Sequence, residues 1–402
     1  MNKSHLQPCE GLQPHGLIIS YEGLANPIIE SQVLENADEL NRRGIRTEVW
    51  FLCGTTNLYR QSSERLTVLQ PKHVTRIRLL RSVWHNLPMS EYFNASVVDA
   101  RIKTLGYSPQ WIQARTGYVG AVCAVLKRKR RFKFILDVRG DTLAEISLAA
   151  RSRPWIDKIL LGIKLNLERR RLRLSHKKAD AAIFVSKDLR QLHAKQGFTV
   201  PSIVVPCVAN PALFYYDHTK RLETRKKLGY SANDIVICYS GSTAVWQCAN
   251  ETIELITRLM KCLPSVRALI LSRENERFKK LVEDSLLNNF TFVSAEFDTV
   301  NEYLNAADVA VLLRKADDVN RVASPVKFAE YSMAGLNVII TPSVAQVAEY
   351  GSLIGNTILY QDELIDRLFV NEGERREAVS RAAQRFYARE NYIKDFLLLY
   401  EK

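Results

Sequence analysis

Short apolar runs alternate with amphipathic stretches along most of the chain. LIISY from Leu17, RTEVWFL at 46–52, QWIQA ending at Ala114, FKFILDV at 132–138, DAAIFVS at 180–186 and SIVVP at 202–206 are each a few residues long. Their shortness and branched side chains fit strands covered on both faces, as in a parallel sheet. Between them the apolar spacing turns helical: 28–43 with Gly44 as its stop, 95–105, Thr116 to about Lys129, a long basic stretch over about 155–178, and 187–196. Strand, turn, helix, strand is the opening of a doubly wound α/β domain. Residues 53–94, broken by Pro71 and Pro88 and mixed in polarity, predict no definite element.

Residues 207–230 carry Pro211 and mixed charge, and read as a connection followed by a helix that stops at Gly229. The alternation then resumes. IVICY at 235–239, RALILS at 267–272, FTFV at 290–293, VAVLL at 309–313, the run through Ile340 and a stretch near 357–360 predict strands. Helices are predicted at 249–262, 274–287, 299–306, after Ser324, and at 343–350, and the last ~30 residues are helical by their Arg/Glu/Leu periodicity. The pattern as a whole predicts an α/β protein: two tandem Rossmann-like doubly wound domains facing across a cleft, 1–206 and 207–380, with a C-terminal helix at 381–402 returning to the first domain.

Length and composition agree with two domains: 402 residues, 47% of them hydrophobic. No apolar run approaches the ~20 residues of a spanning helix. The polar start MNKSHLQPCEGLQPHG lacks the apolar core of a signal peptide, and the 7 cysteines form no C-x-x-C pair. Both suggest reduced thiols and a cytoplasmic protein. The net charge of +14 is concentrated in KRKRRFK at 127–133 and KLNLERRRLRLSHKK at 164–178. Such clusters attract anionic membrane surfaces or phosphorylated substrates. Without an aromatic-basic RNA motif or a zinc finger, nucleic acid is not an expected partner.

Chemistry concentrates in RVASPVKFAEYSMAGLNVIIT, 321–341. Ser324 suits an N-cap, Pro325 the first helical position, and Gly335 the left-handed stop. Lys327 and Glu330, three apart, share one face near the helix start, where free N–H groups favour an anion. Ser240-Gly241-Ser242 follows the second half's first strand, where small residues let backbone N–H groups approach a phosphate. With Arg314 and Arg321 upstream, these residues suit a diphosphate held without a metal or other cofactor. No Asp-x-Asp, zinc pattern, G-x-G-x-x-G or Walker lysine is present. In the first half, Glu22-Gly23-Leu24-Ala25-Asn26 follows the first strand, and Arg115 and Arg139 stand where strands end. They either face a ligand there or pair with Asp137, Asp141 or Glu145.

SPVKFAEYSMAGLNVI is similar to the P-x-K-x-x-E-Y-x-x-x-G-x-P-V-I form of GT-B-fold glycosyltransferases of the group 1 (family 4) class. YEGLANPIIESQV, QARTGY, DVRGD, VSKDL and YSGS with Trp246-Gln247 resemble that family in the same order, so the resemblance runs from about Leu17 to the end. It implies a hexosyltransferase-like enzyme that takes an NDP-sugar in the second domain and passes the sugar, with retention, to a saccharide or lipid-linked saccharide acceptor on the first. The expected setting is cell-surface polysaccharide or glycolipid synthesis on the inner face of a membrane. Glu330 matches the family's ribose-binding glutamate and Lys327 its helix-start lysine; Gly241, Ser242, Arg314, Arg321 and Ser324 complete the expected donor site. Glu22, Arg115 and Arg139 are the expected catalytic-side residues, with Gly23 and Asn26 in the acceptor loop. Two departures stand out: the family's first glutamate falls at Val322, and its Arg and Lys after the second domain's first strand are replaced by Thr243–Gln247. A sugar-nucleotide epimerase of the same architecture and a non-catalytic binding subunit remain alternatives.

Overall fold

The apolar runs become strands, and every strand pair is parallel. The computed structural model describes residues 15–150, 156–360 and 373–401. The chain divides into two compact units, one of residues 1–205 with 393–402 and one of residues 206–392. The first contains β1 (Gly16–Ser20), β2 (Thr47–Cys53), β3 (Arg76–Arg81), β4 (Trp111–Arg115), β5 (Lys133–Val138), β6 (Ala181–Phe184) and β7 (Ser202–Val204). Their spatial order is β3-β2-β1-β4-β5-β6-β7. The order reverses between β1 and β4, and in such sheets the crevice beyond the strand ends at that reversal is the usual ligand site.

The segment 53–94 contains a helix at Thr56–Leu69, a 3₁₀ turn at Gln70–Lys72, strand β3 and the start of a helix at Ser90–Thr104. Its strand was illegible because β3 reads RIRLLR: an arginine-rich edge strand is not an apolar run. The predicted helix 28–43 is built in three parts, Pro27–Ile29, a π-helical Glu30–Leu34 and Glu35–Arg42. The helix Ile393–Glu401 belongs to this first unit. Within it the Tyr400 hydroxyl donates to Gln113 Oε1 at 2.5 Å, and its ring stacks on Trp111 with centroids 4.1 Å apart. Residues 381–392, which the sequence grouped with this terminal helix, lie in the second unit instead.

The second unit contains β8 (Ile235–Ser240), β9 (Val266–Leu271), β10 (Phe290–Val293), β11 (Val309–Leu312), β12 (Asn337–Ile340) and β13 (Thr357–Leu359), ordered β10-β9-β8-β11-β12-β13. Its reversal falls between β8 and β11. One face packs around Phe328, Tyr331, Leu336 and Tyr387, the other around Ile256, Ile270 and Phe278. The predicted helix 274–287 is only Asn275–Lys279, followed by 3₁₀ structure at Asp284–Asn289. Arg376, buried in the helix Gly373–Tyr387, donates to the carbonyls of Ala307 at 2.8 Å and Ala334 at 3.2 Å. It thereby supplies partners to backbone groups that helix ends leave unsatisfied. The six cysteines among the described residues are free thiols.

Candidate functional site

In the second unit, the reversal of strand order puts the ends of β8 and β11 side by side. Gly241 follows β8 and Arg314 follows β11, and the helix Val326–Met333 brings Lys327 to both. A Cβ on Gly241 would lie 1.9 Å from Lys327 Nζ and 2.5 Å from Gln247 Oε1, so a side chain here would displace the lysine from this position. Lys327 Nζ donates to Gln247 Oε1 and lies 5.0 Å from the centre of the Tyr239 ring. Two tyrosines hold the loop. Tyr331 accepts from the Ser240 N–H at 2.8 Å, and Tyr239 donates to the Ser242 carbonyl at 2.9 Å.

Two cations therefore share a small space. Arg314 is buried, and its guanidinium donates to the Leu313 carbonyl at 2.8 Å. Burial lowers its pKa from the ordinary arginine value. Lys327 is pulled down to about 7, first by desolvation and then by the charge of Arg314, with the carboxylate of buried Glu330 opposing the fall. A site that disfavours its own lysine's charge is one that an incoming anion relieves.

Several expectations change. Ser324 does not cap the helix: Pro325 occupies the cap position, and the Ser324 hydroxyl accepts from the Cys207 N–H at 2.9 Å. Arg321 is exposed and pairs with Asp318 at 3.3 Å, leaving Arg314 as the cation coupled to Lys327. The N–H groups of Ser240 and Gly241, expected to face an anion, bond to Tyr331 and to the Leu271 carbonyl. The loop thus contributes space for Lys327 and not these N–H donors. Gln247 and Tyr239, unmarked as site residues in the sequence, are the side chains that position the lysine. Val322, where the resemblance expects a glutamate, is fully buried.

In the first unit, Glu22, Arg115 and Arg139 come together at the ends of β1, β4 and β5. Arg115 pairs with Glu22 and lies 3.7 Å from Asp137; Arg139 lies 3.5 Å from Asp137 and donates to Gln32 Oε1 at 3.3 Å. Both arginines thus have acids beside them, yet Arg115 Nη1 and Asp137 Oδ1 are buried without a hydrogen-bond partner. Nearby Glu145 is shifted upward, chiefly by burial and then by Asp141 and Glu22. Gly23 takes φ +80°, and Asn26 Oδ1 accepts from the Ile28 N–H at 3.2 Å, capping the following helix. Beside Glu22 opens a cavity of ≈ 340 Å³.

The basic stretch is only partly a surface. Arg171 is buried, bonded to Glu168 at 2.7 Å, Glu91 at 3.2 Å and the His85 carbonyl at 2.8 Å. Arg169, Arg170, Arg173 and Lys177 are exposed on the helix Ile156–Lys178. Arg170 reaches the Tyr92 hydroxyl at 3.4 Å, and Met89 and Phe93, near Tyr92 in sequence, are exposed. In the other cluster Lys127 pairs with Asp180, and Arg130 with Asp99. Among the described residues no helix is long and apolar enough to cross a membrane, and no group of His, Cys, Asp and Glu could hold a metal ion.

No family model matches the sequence, and comparison with curated proteins finds no match. Solved structures do match. Sucrose-phosphate synthase from Thermosynechococcus elongatus superposes with a TM-score of 0.70 at 16% identity, covering 97% of this chain and 98% of that one. HepE of Anabaena, in complex with UDP and glucose, gives 0.67 at 16%, covering 95% and 98%. WaaG, a glycosyltransferase involved in lipopolysaccharide biosynthesis, gives 0.62 at 15%, covering 96% of each chain. The fold is that of the GT-B glycosyltransferases.

Proposed function

We propose that the chain is a glycosyltransferase that takes an NDP-sugar on its second unit and transfers the sugar to an acceptor hydroxyl. The observation that carries this reading is the pair Lys327 and Arg314 at the strand-order reversal, with Gly241 clearing room for the lysine. Two preset cations stabilise the charge that develops on a departing diphosphate, the kind of electrostatic term that dominates such reactions. Glu330, one turn further along the same helix, accepts hydrogen bonds from the ribose hydroxyls. UDP is the first nucleotide to test, since HepE was solved with UDP. Retention of anomeric configuration follows from the family resemblance.

On the first unit, Glu22, Arg115 and Arg139 serve the acceptor side. The acceptor is a saccharide or lipid-linked saccharide of cell-surface polysaccharide or glycolipid synthesis, met at the cytoplasmic face of a membrane. Exposed Arg169, Arg170, Arg173 and Lys177, with Met89 and Phe93 also exposed, support that setting. Each basic residue near an anionic surface contributes about 1 kcal/mol. Vesicle sedimentation checks it: anionic vesicles should retain the protein at low salt and release it at high salt, and equal, negligible binding to anionic and neutral vesicles refutes it.

Calorimetry with UDP tests the donor site. Glu330→Ala and Lys327→Ala should each lower affinity roughly ten- to hundredfold, the worth of a charge-assisted hydrogen bond. Unchanged affinity in both overturns the assignment. Incubation with UDP-sugar alone separates the reaction classes, because an epimerase converts the donor and a transferase at most hydrolyses it slowly.

A further inference from the structure

The cavity beside Glu22 differs in chemistry from the rest of a strongly basic chain. It lies beyond the ends of β1, β2 and β3, and Trp84, His85, Tyr21 and Tyr118 form one aromatic wall. Tyr21 packs on His85 with centroids 4.7 Å apart and on Tyr118 at 5.3 Å, and Trp84 meets His85 at 6.1 Å. Asn57 and Gln61 also line the cavity, and the buried Ser82 hydroxyl has no hydrogen-bond partner among the described residues.

The wall is fixed in place. Asn94 accepts from the Val83 N–H and donates to the Val83 carbonyl, both at 2.8 Å. Arg171 holds the carbonyls of His85 at 2.8 Å and Leu87 at 3.2 Å. A Cβ on Gly54 would lie 2.7 Å from Trp84 Cα, so the loop rests directly on that glycine. Yet Trp84 itself remains 43% exposed. A rigid loop that presents an indole to solvent beside amides and a hydroxyl is a prepared contact surface.

Charge narrows what fits. Although the chain carries a net +14, no lysine or arginine among the described residues lines the cavity. Glu22, the one carboxylate among the described residues that line it, already pairs with Arg115. His85 is held near pKa 4 by burial and then by Arg171 and Lys164, so it is neutral at physiological pH. A phosphate or carboxylate entering here finds no cation on the described lining to pair with directly, since the nearby Arg171 lies against the Tyr118 ring and is already paired with Glu91 and Glu168. A pyranose has apolar C–H faces for the aromatic wall and hydroxyls for the amides of Asn57 and Gln61.

We propose that this cavity is an acceptor subsite selective for an uncharged sugar ring, with Trp84 as its platform. The inference rests on the glycosyltransferase reading, and its volume of ≈ 340 Å³ is that of a small-ligand pocket.

The test uses the full chain with UDP in excess to occupy the nucleotide site. Saturation-transfer NMR then compares methyl glucoside and methyl N-acetylglucosaminide with glucuronate and glucose 6-phosphate. The neutral glycosides should bind at least about tenfold more tightly than the acids. Trp84→Ala should abolish their signal while leaving UDP affinity unchanged. Asn57→Lys, at an exposed position, should shift preference toward the acids. Equal binding of acids and neutral sugars, neutral binding that survives Trp84→Ala, or no neutral binding while UDP still binds each overturns the subsite alone. Failure of the unaltered chain to bind any of UDP, GDP, ADP and CMP overturns the glycosyltransferase reading beneath it.

Discussion

Raising the pH should weaken donor binding through one side chain. Lys327 titrates near pH 7 in the free protein because burial and Arg314 both oppose its charge. A diphosphate needs the charged form and, once bound, keeps it charged well above pH 7. The apparent dissociation constant then rises as the intrinsic constant divided by the charged fraction. With a pKa of about 7, that fraction falls from about 0.76 at pH 6.5 to about 0.03 at pH 8.5, an affinity loss of about 25-fold. UDP-glucose is the probe, since esterification removes the terminal phosphate proton that titrates near pH 6. Calorimetry in two buffers of different ionisation enthalpy should also record uptake of about 0.9 proton per binding event at pH 8. Lys327→Arg, charged at every pH used, should flatten the profile. A flat profile in the unaltered protein would refute the argument. The same group acts oppositely on stability. Its folded pKa lies below the unfolded value near 10.4, so the unfolded chain binds more protons between about pH 7 and 10 and this group's contribution to stability rises with pH there.

Gly241→Ala should lower UDP affinity roughly ten- to hundredfold, because the new methyl group overlaps Lys327 Nζ, while the melting temperature moves by only a few degrees; calorimetry and a thermal melt read the two effects separately. Turnover should survive EDTA, since Lys327 and Arg314 can neutralise the diphosphate, and a complete loss that added metal reverses would count against it. Arg171→Met should destabilise the first unit by about 3–5 kcal/mol in denaturant titration, because Glu91 would stay buried without its counter-charge; a loss below about 1 kcal/mol would show that Glu91 had found another partner.

The alternation of strands and helices was legible because parallel strands buried on both faces cannot hide their apolar runs. The edge strand β3, with three arginines among its six residues, carried no such signal. Lys327, Glu330 and Gly241 could be picked out because their roles depend on local spacing and on a turn after a strand. Gln247 and Tyr239 could not, since what matters is where their side chains meet a lysine some eighty residues away. The same limit explains Arg171: in sequence it is one basic residue among many, and only the packing of its helix against Glu91 sets it apart. Ser324 shows a finer limit, since a one-residue shift of the helix start hands its hydroxyl to Cys207.

The helix Ile393–Glu401 closes a unit whose other residues end at Val205, so synthesis order and structure disagree. At ~5–20 residues per second, roughly ten to forty seconds pass on the ribosome between the two pieces. During that interval Trp111 and Gln113 lack the cover that Tyr400 later gives them. The second unit is made during that interval and is completed just before the closing helix. The first unit therefore waits, with an open apolar site, for a segment made after its neighbour. Chaperones would meet it in that state, and a premature stop at position 393 would leave one finished unit tethered to one that never closes.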